Sequence, residues 1–247
     1  MSSPTPRKKI NEIIQSINEM IVNGRNHERI EEIIIEANKM KAYGQYTDAC
    51  IVLGVVAALR SDFNEVDRLF KAAFAHSGRT VDTLLKYAVV LSNLHRHIDA
   101  VKIIDELMEL VPDDLFVVNN AFLYHFTAFD VDGARKLMSH MKLLSQPIDE
   151  AMWEERLIWL EEIMKEHKVV WKDVASRIEL ASRALRQSGM VPRSADRFEW
   201  DGIMIYKFFI QGDVDSICLA ESAMIDAIAN QPYSPVDDFL YFSCESV

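Results

Sequence analysis

The sequence predicts a mainly α-helical protein, a stacked array of about five helix pairs followed by a small β-α-β appendix. Three observations carry this. Apolar residues recur three and four apart from about residue 8 to residue 188, the spacing that lines one face of an α-helix. A two-helix unit returns with a period of 34 residues, from Leu53-Gly54 to Tyr87-Ala88 to Ala121-Phe122. A fixed period of this size marks helices stacked side by side, usually to hold other proteins. After Pro192 the helical spacing gives way to short apolar runs typical of strands.

Taken in order, the periodicity places helices near 8–23, 28–42, 46–60, 63–77, 80–94, 97–110, 114–128 and 131–144, then longer ones near 149–166 and 171–188. Punctuation falls between them at Gly24, Gly44, Ser61-Asp62, Gly78, Pro112-Asp113-Asp114, Asp130 and Pro147. Short loops make successive helices antiparallel neighbours. Gly54, Ala88, Ala100 and Ala134 are small enough to let helix backbones come close. These helices form a first domain over 1–190, and 195–247 forms a second. In the second, Arg193 to Asp201 reads as a polar turn and Ile203 to Ile210 as a strand. Asp213 caps a helix running through Asn230, Pro232 and Pro235 end it, and Phe239 to Phe242 reads as another strand. Two strands alone are marginal, so the appendix is expected to pack on the last helices or to pair across a homodimer.

Over 47–144 the units resemble the tetratricopeptide family. Leu84, Tyr87-Ala88, Leu91, Ala100, Ile104, Leu107 and Pro112 stand in order at that family's large, large, small, large, small, large, small and proline sites, Leu107 being larger than usual. The repeat from Thr47 matches through Leu53-Gly54, Phe63, Phe70 and Ala73, with Ala57 at a large site and Val66 at an alanine site. The repeat from Leu115 has Ala134 in place but Phe122 at a small site. The resemblance implies a right-handed TPR-like α-solenoid in which the first helix of each pair lines a concave groove. The lining residues are then Ile51 and Val55, followed by Leu85, Val89 and Asn93, and by Phe116, Asn119, Leu123 and Phe126. Family members that capture a terminal carboxylate use lysine, arginine and asparagine there. With only Asn93 and Asn119 suitable, this chain is expected instead to hold an apolar or amphipathic segment of a partner protein, as an adaptor or chaperone. Ile51 to Leu59 is apolar on every side and must be covered, either by such a client or by the chain's own helices.

Charge and motif content narrow the function further. A net charge of −11 disfavours nucleic acid and anionic membranes, and Arg7-Lys8-Lys9 is the one compact basic patch. The longest apolar run, Cys50 to Leu59, is too short to span a bilayer, and the N-terminal isoleucines form no signal-peptide core. Three separated cysteines suit a reducing, cytoplasmic setting. No phosphate-binding, nucleophile-elbow, dinucleotide or zinc-protease motif occurs, so no enzyme activity, cofactor or metal is expected. His95-Arg96-His97 lacks a third ligand and sits in a turn, while Asp130-Val131-Asp132-Gly133 lacks the later oxygens of a calcium loop and reads as a cap. Glu154-Glu155 and Glu161-Glu162 read as a solvated helix face. Trp153, Trp159, Trp171 and Trp200 are expected to pack the end of the array. Arg177, Arg183, Arg186, Arg193 and Arg197 suit an acidic partner or offset nearby acids. The alternative is a repeat scaffold for oligomerisation whose appendix carries a regulatory or enzymatic site around Asp213, Asp215, Cys218 and Glu221.

Overall fold

The computed structural model describes Ile13, residues 27–200 and residues 202–246. The predicted helix over 8–23 and the basic patch at Arg7-Lys8-Lys9 lie outside the described residues, apart from Ile13. Helices α1 (His27–Ala42), α2 (Tyr46–Leu59), α3 (Phe63–Ser77), α4 (Val81–Asn93) and α5 (His97–Leu110) come first. They are followed by α6 (Leu115–Thr127), α7 (Val131–Leu143), α8 (Glu150–Glu166) and α9 (Trp171–Gln187). Each begins and ends within about one residue of its predicted position. Strands β1 (Ser194–Trp200) and β2 (Ile203–Ile210), helix α10 (Val214–Ala229), a 3-10 turn (Pro235–Asp238) and strand β3 (Leu240–Ser246) complete the chain. Among the described residues no helix is long and apolar enough to cross a membrane.

The boundaries have local causes. Asp62, Asp114, Asp130, Asp149 and Asp213 each accept a backbone N–H from the first turn of the helix they precede, a cap worth about 1 kcal/mol. One turn geometry recurs at the sequence period. Ser61, His95 and Phe129, spaced 34 residues apart, all take left-handed backbone angles. The next residue in each case, Asp62, Arg96 or Asp130, donates its N–H back to the carbonyl of Ala57, Leu91 or His125. These bonds satisfy carbonyls left unpaired at a helix end. The 34-residue spacing is therefore a spacing of identical reverse turns.

By its contacts the chain divides into two compact units, Met1–Val90 and Leu91–Val247. In the first, α1 packs on α2 and α2 on α3. Ile30, Ile33, Ala37 and Met40 of α1 meet Ala49, Val52, Val56 and Leu59 of α2 in one core, joined by Ile13. The other flank of α2 takes α3 at Gly54, where an added Cβ would stand 2.8 Å from Phe70 Cε2. This answers why α2 is apolar all round: within this unit its neighbours α1 and α3 cover it.

The second unit packs α5 on α6 and α6 on α7, and Ala100 and Ala134 are fully buried as close approach requires. Helix α9 then departs from nearest-neighbour stacking. It returns to α5 and to the turn before it, with Arg186 Nη2 donating to Asn93 O at 2.7 Å and Ser182 Oγ set 3.1 Å from His95 Nδ1. Small buried residues on α9, namely Ala175, Ala181, Ser182 and Ala184, permit that approach.

The appendix belongs to this unit and has three strands in the order β1-β2-β3. The stretch read as a turn, Arg193 to Asp201, is largely strand β1. It pairs antiparallel with β2 from Ser194↔Phe209 to Trp200↔Ile203. Gly202, the second residue of the sequence pair Asp201-Gly202, stands at φ +75° between the two strands. An Asp-Gly pair is a strong hairpin signal, and the polar composition of β1 reflects its place at a sheet edge. Strands β2 and β3 are parallel and joined through α10, as a β-α-β unit requires. Met204, Tyr206, Phe208 and Ile210 of β2 alternate into the core, and α10 packs on α9.

Candidate functional site

The predicted lining residues fall into different environments. In the first unit Ile51 has no exposed surface, because α2 is a core helix, and Val55 packs against the α1–α2 core. Leu85 is partly exposed and Val89 is 42% exposed. With exposed Val81 they mark every fourth residue of α4, an apolar stripe on an otherwise well-covered helix.

In the second unit Phe116 is 61% and Leu123 47% exposed, at i and i+7 on α6. The polar groups on that stripe are spent on the helix itself. Asn120 Nδ2 donates to Phe116 O at 2.7 Å and Thr127 Oγ1 to Leu123 O at 2.6 Å, which leaves the ring and the isobutyl group as the accessible chemistry. Asn119 is half-buried beside them. Asn93 is exposed, although its carbonyl accepts from Arg186. Phe126 lies below the surface: Trp153 meets it edge-on at 4.8 Å and the Arg197 guanidinium covers its face at 3.9 Å. Sequence spacing could not separate Phe126 from Phe116, since the covering groups come from α8 and β1.

The titratable groups cluster at two buried places. His125 bridges two carboxylates, with Nδ1 2.7 Å from Asp130 Oδ2 and Nε2 3.0 Å from Asp105 Oδ1. Burial opposes its charge, but the hydrogen bonds and charges of Asp105 and Asp130 outweigh burial and raise its pKa to about 9. Asp130 also caps α7 by accepting the Gly133 N–H, so the Asp130-Val131-Asp132-Gly133 stretch is a turn and cap. The clamp ties α5, α6 and α7 together. No residue spacing in the sequence announces it, as the partners stand 20 and 5 positions from His125.

His95 and His97 sit where the turn before α5 meets the sheet. His95 packs edge-on to Phe208, and His97 Nε2 lies 3.5 Å from Tyr206 Oη. Burial holds both imidazoles neutral, lowering His97 to about 4 and driving His95 well below the usual histidine range. The two sites give opposite pH dependences. A histidine lowered from 6.5 to about 4 stabilises the fold above pH 6.5 and loses that contribution as pH falls toward 4. A histidine raised to about 9 contributes fully below pH 6.5 and loses it as pH rises through 9. Thermal stability is therefore expected to peak near pH 6.5 and fall on both sides. Melting curves from pH 4 to 9.5 check this: His97→Phe should flatten the acid limb and His125→Gln the alkaline limb. Unchanged limbs in both variants would rule the assignment out.

The other predicted clusters have structural roles, and Glu155, Glu161 and Glu162 remain on an exposed helix face as the sequence reading expected. Glu154 and Glu161 both take Arg135 of α7, at 3.0 and 2.6 Å. Arg177 reaches Pro232 O and Asp237 and Arg197 covers Phe126, which joins elements of the second unit, while Arg183 pairs with Glu179 within α9 and Arg193 with Gln211 at the surface. Trp153 packs as expected, whereas Trp200, at the outer end of β1, is largely exposed. Asp213 caps α10, Asp215 and Cys218 are exposed, and Glu221 Oε1 accepts the Cys244 N–H at 2.8 Å. Among the described residues no group of three His, Cys, Asp or Glu side chains is placed to hold a metal ion. Comparison with protein-family models, curated proteins and solved structures finds no match to this chain.

Proposed function

We propose that this chain is a noncatalytic protein-binding adaptor or chaperone that holds an apolar or amphipathic segment of a partner, with the uncovered apolar face of α6 as the contact surface. The observation that carries this reading is the α6 stripe: an exposed phenylalanine and leucine two helical turns apart, with Asn120 and Thr127 already bonded to their own helix. Such residues lose water-exposed apolar area only by meeting another molecule, at about 25 cal/mol per Å² buried, and exposed aromatics are the usual anchors of interfaces. The likeness to tetratricopeptide repeats supports the same reading, and Asn119 beside the stripe can bond a client's backbone. The exposed acids Asp113 and Asp114 at the start of α6 favour basic clients. Three free cysteines suit a cytoplasmic setting. The alternative site around Asp213, Asp215, Cys218 and Glu221 is not favoured, because Asp213 caps α10 and Glu221 accepts the Cys244 N–H at the edge of β3.

The test is a pull-down from native cytosol with the wild type and a Phe116→Glu/Leu123→Glu variant, with circular dichroism to establish that the variant is folded. A partner held by the wild type is expected to be lost by the folded variant. A partner retained equally by both would remove α6 from the binding surface.

A further inference from the structure

We propose a second docking site, distinct from the helical faces above: the groove between β3 and the C-terminal half of α10 accepts an extended segment of a partner protein that is apolar and basic, adding it to the sheet as a fourth strand. The backbone argument comes first. Met204 N–H donates to Phe239 O, and parallel pairing alternates, so Tyr241, Ser243 and Glu245 turn their peptide groups toward β2. Leu240, Phe242 and Cys244 turn theirs to the free edge. The Cys244 N–H is already taken by Glu221 of α10, which blunts that end of the edge as natural sheets commonly do. Leu240 and Phe242 instead face a cavity.

That cavity has a volume of about 450 Å³ and is lined by Ile225, Ile228, Tyr233, Leu240 and Phe242 among others. Its size is within the roughly 300–1,000 Å³ typical of ligand clefts. Ile225 is 60% exposed, so the apolar wall is continuous with the surface. An edge offering ladder hydrogen bonds beside pockets for alternate side chains is the arrangement by which strand addition gains both affinity and selectivity.

Charge selects the occupant. On α10 Asp226 follows Ile225 and Glu221 stands one turn before it, and Asp238 accepts the Oη–H of the cavity-lining Tyr233 at 2.6 Å. Asp237 is neutralised by Arg177 at 2.9 Å, and among the described residues no lysine or arginine lines the cavity. A cationic segment is attracted to this rim. A second copy pairing β3 against β3 would bring the same acids face to face, in a chain carrying a net charge of −11.

The probe is a fluorescein-labelled eight-residue peptide of alternating valine and lysine, titrated with the full chain and followed by fluorescence anisotropy. Saturable binding is expected, weakened at least tenfold by Ile225→Lys and by N-methylation of the peptide backbone. It should be unchanged by Phe116→Glu/Leu123→Glu, which separates this site from the α6 face. The exposure of Ile225 makes its variant foldable, and circular dichroism checks it. No saturable binding, equal binding of a valine-glutamate peptide, equal binding of the N-methylated peptide, or full binding by Ile225→Lys would each overturn the proposal. So would sedimentation showing a wild-type dimer that Ile225→Lys converts to a monomer, since the occupant would then be a second copy.

Discussion

Gly133→Ala is expected to destabilise the protein by about 3 kcal/mol, within the range found when one partner of a buried ion pair is displaced. Helix propensity alone points the other way, because alanine is better than glycine inside a helix by about 1 kcal/mol. The position decides the sign. Gly133 lies in the first turn of α7, and a Cβ there would fall on His125 Nδ1 and stand 2.5 Å from Asp130 Oδ2. The methyl group therefore occupies the space of the His125–Asp130 hydrogen bond, and a buried imidazolium must give up that carboxylate. Urea unfolding at pH 6.5 measures the loss. The same substitution in a His125→Ala background should cost clearly less, since the overlap with the imidazole has gone and only the contact with Asp130 Oδ2 remains. A similar loss in both backgrounds would show that the clamp is not the cause.

Phe70→Ala should cost about 3–5 kcal/mol, as for other large aromatic truncations in a core. Phe70 is fully buried on α3, stacked on Tyr87 with ring centroids 4.5 Å apart. It also fills the space left by the missing side chain of Gly54. Gly54 and Phe70 are thus one packing unit, and they should couple. Gly54→Ala is expected to destabilise the wild type by overpacking, at about 1–3 kcal/mol, and to do so less when Phe70 is first shortened to leucine. A double-mutant cycle by chemical denaturation measures the coupling, expected on the order of 1 kcal/mol. Strict additivity would mean that the two helices shift apart rather than interlock.

These two sites also show what could be read in the residues. Gly54 is legible as a point of close helix approach, because a small residue at a repeated position beside large ones has few other uses. Gly133 is visible as part of the Asp130-Val131-Asp132-Gly133 cap, but its reason for being glycine is not, since that depends on His125 and Asp130 meeting across a turn. Phe116 and Phe126 look alike in spacing, and only the arrival of Trp153 and Arg197 makes one core and the other surface. Strand β1 was open to a local reading through Asp201-Gly202, yet its polar edge composition outweighs that signal when residues are taken one stretch at a time.

By itself the sequence determined the helices, their ends and the 34-residue spacing of the turns at Ser61, His95 and Phe129. These follow from interactions spanning a few residues: apolar periodicity, aspartate caps and reverse turns. Tertiary structure alone decided the return of α9 to α5, the burial of His95 and His97 against the sheet, the Asp105–His125–Asp130 clamp and the groove beside β3. Each of these joins elements that lie apart in the chain, and such meetings are set by which packing buries the most apolar surface while leaving most buried polar groups a partner. Local periodicity carries no record of that choice.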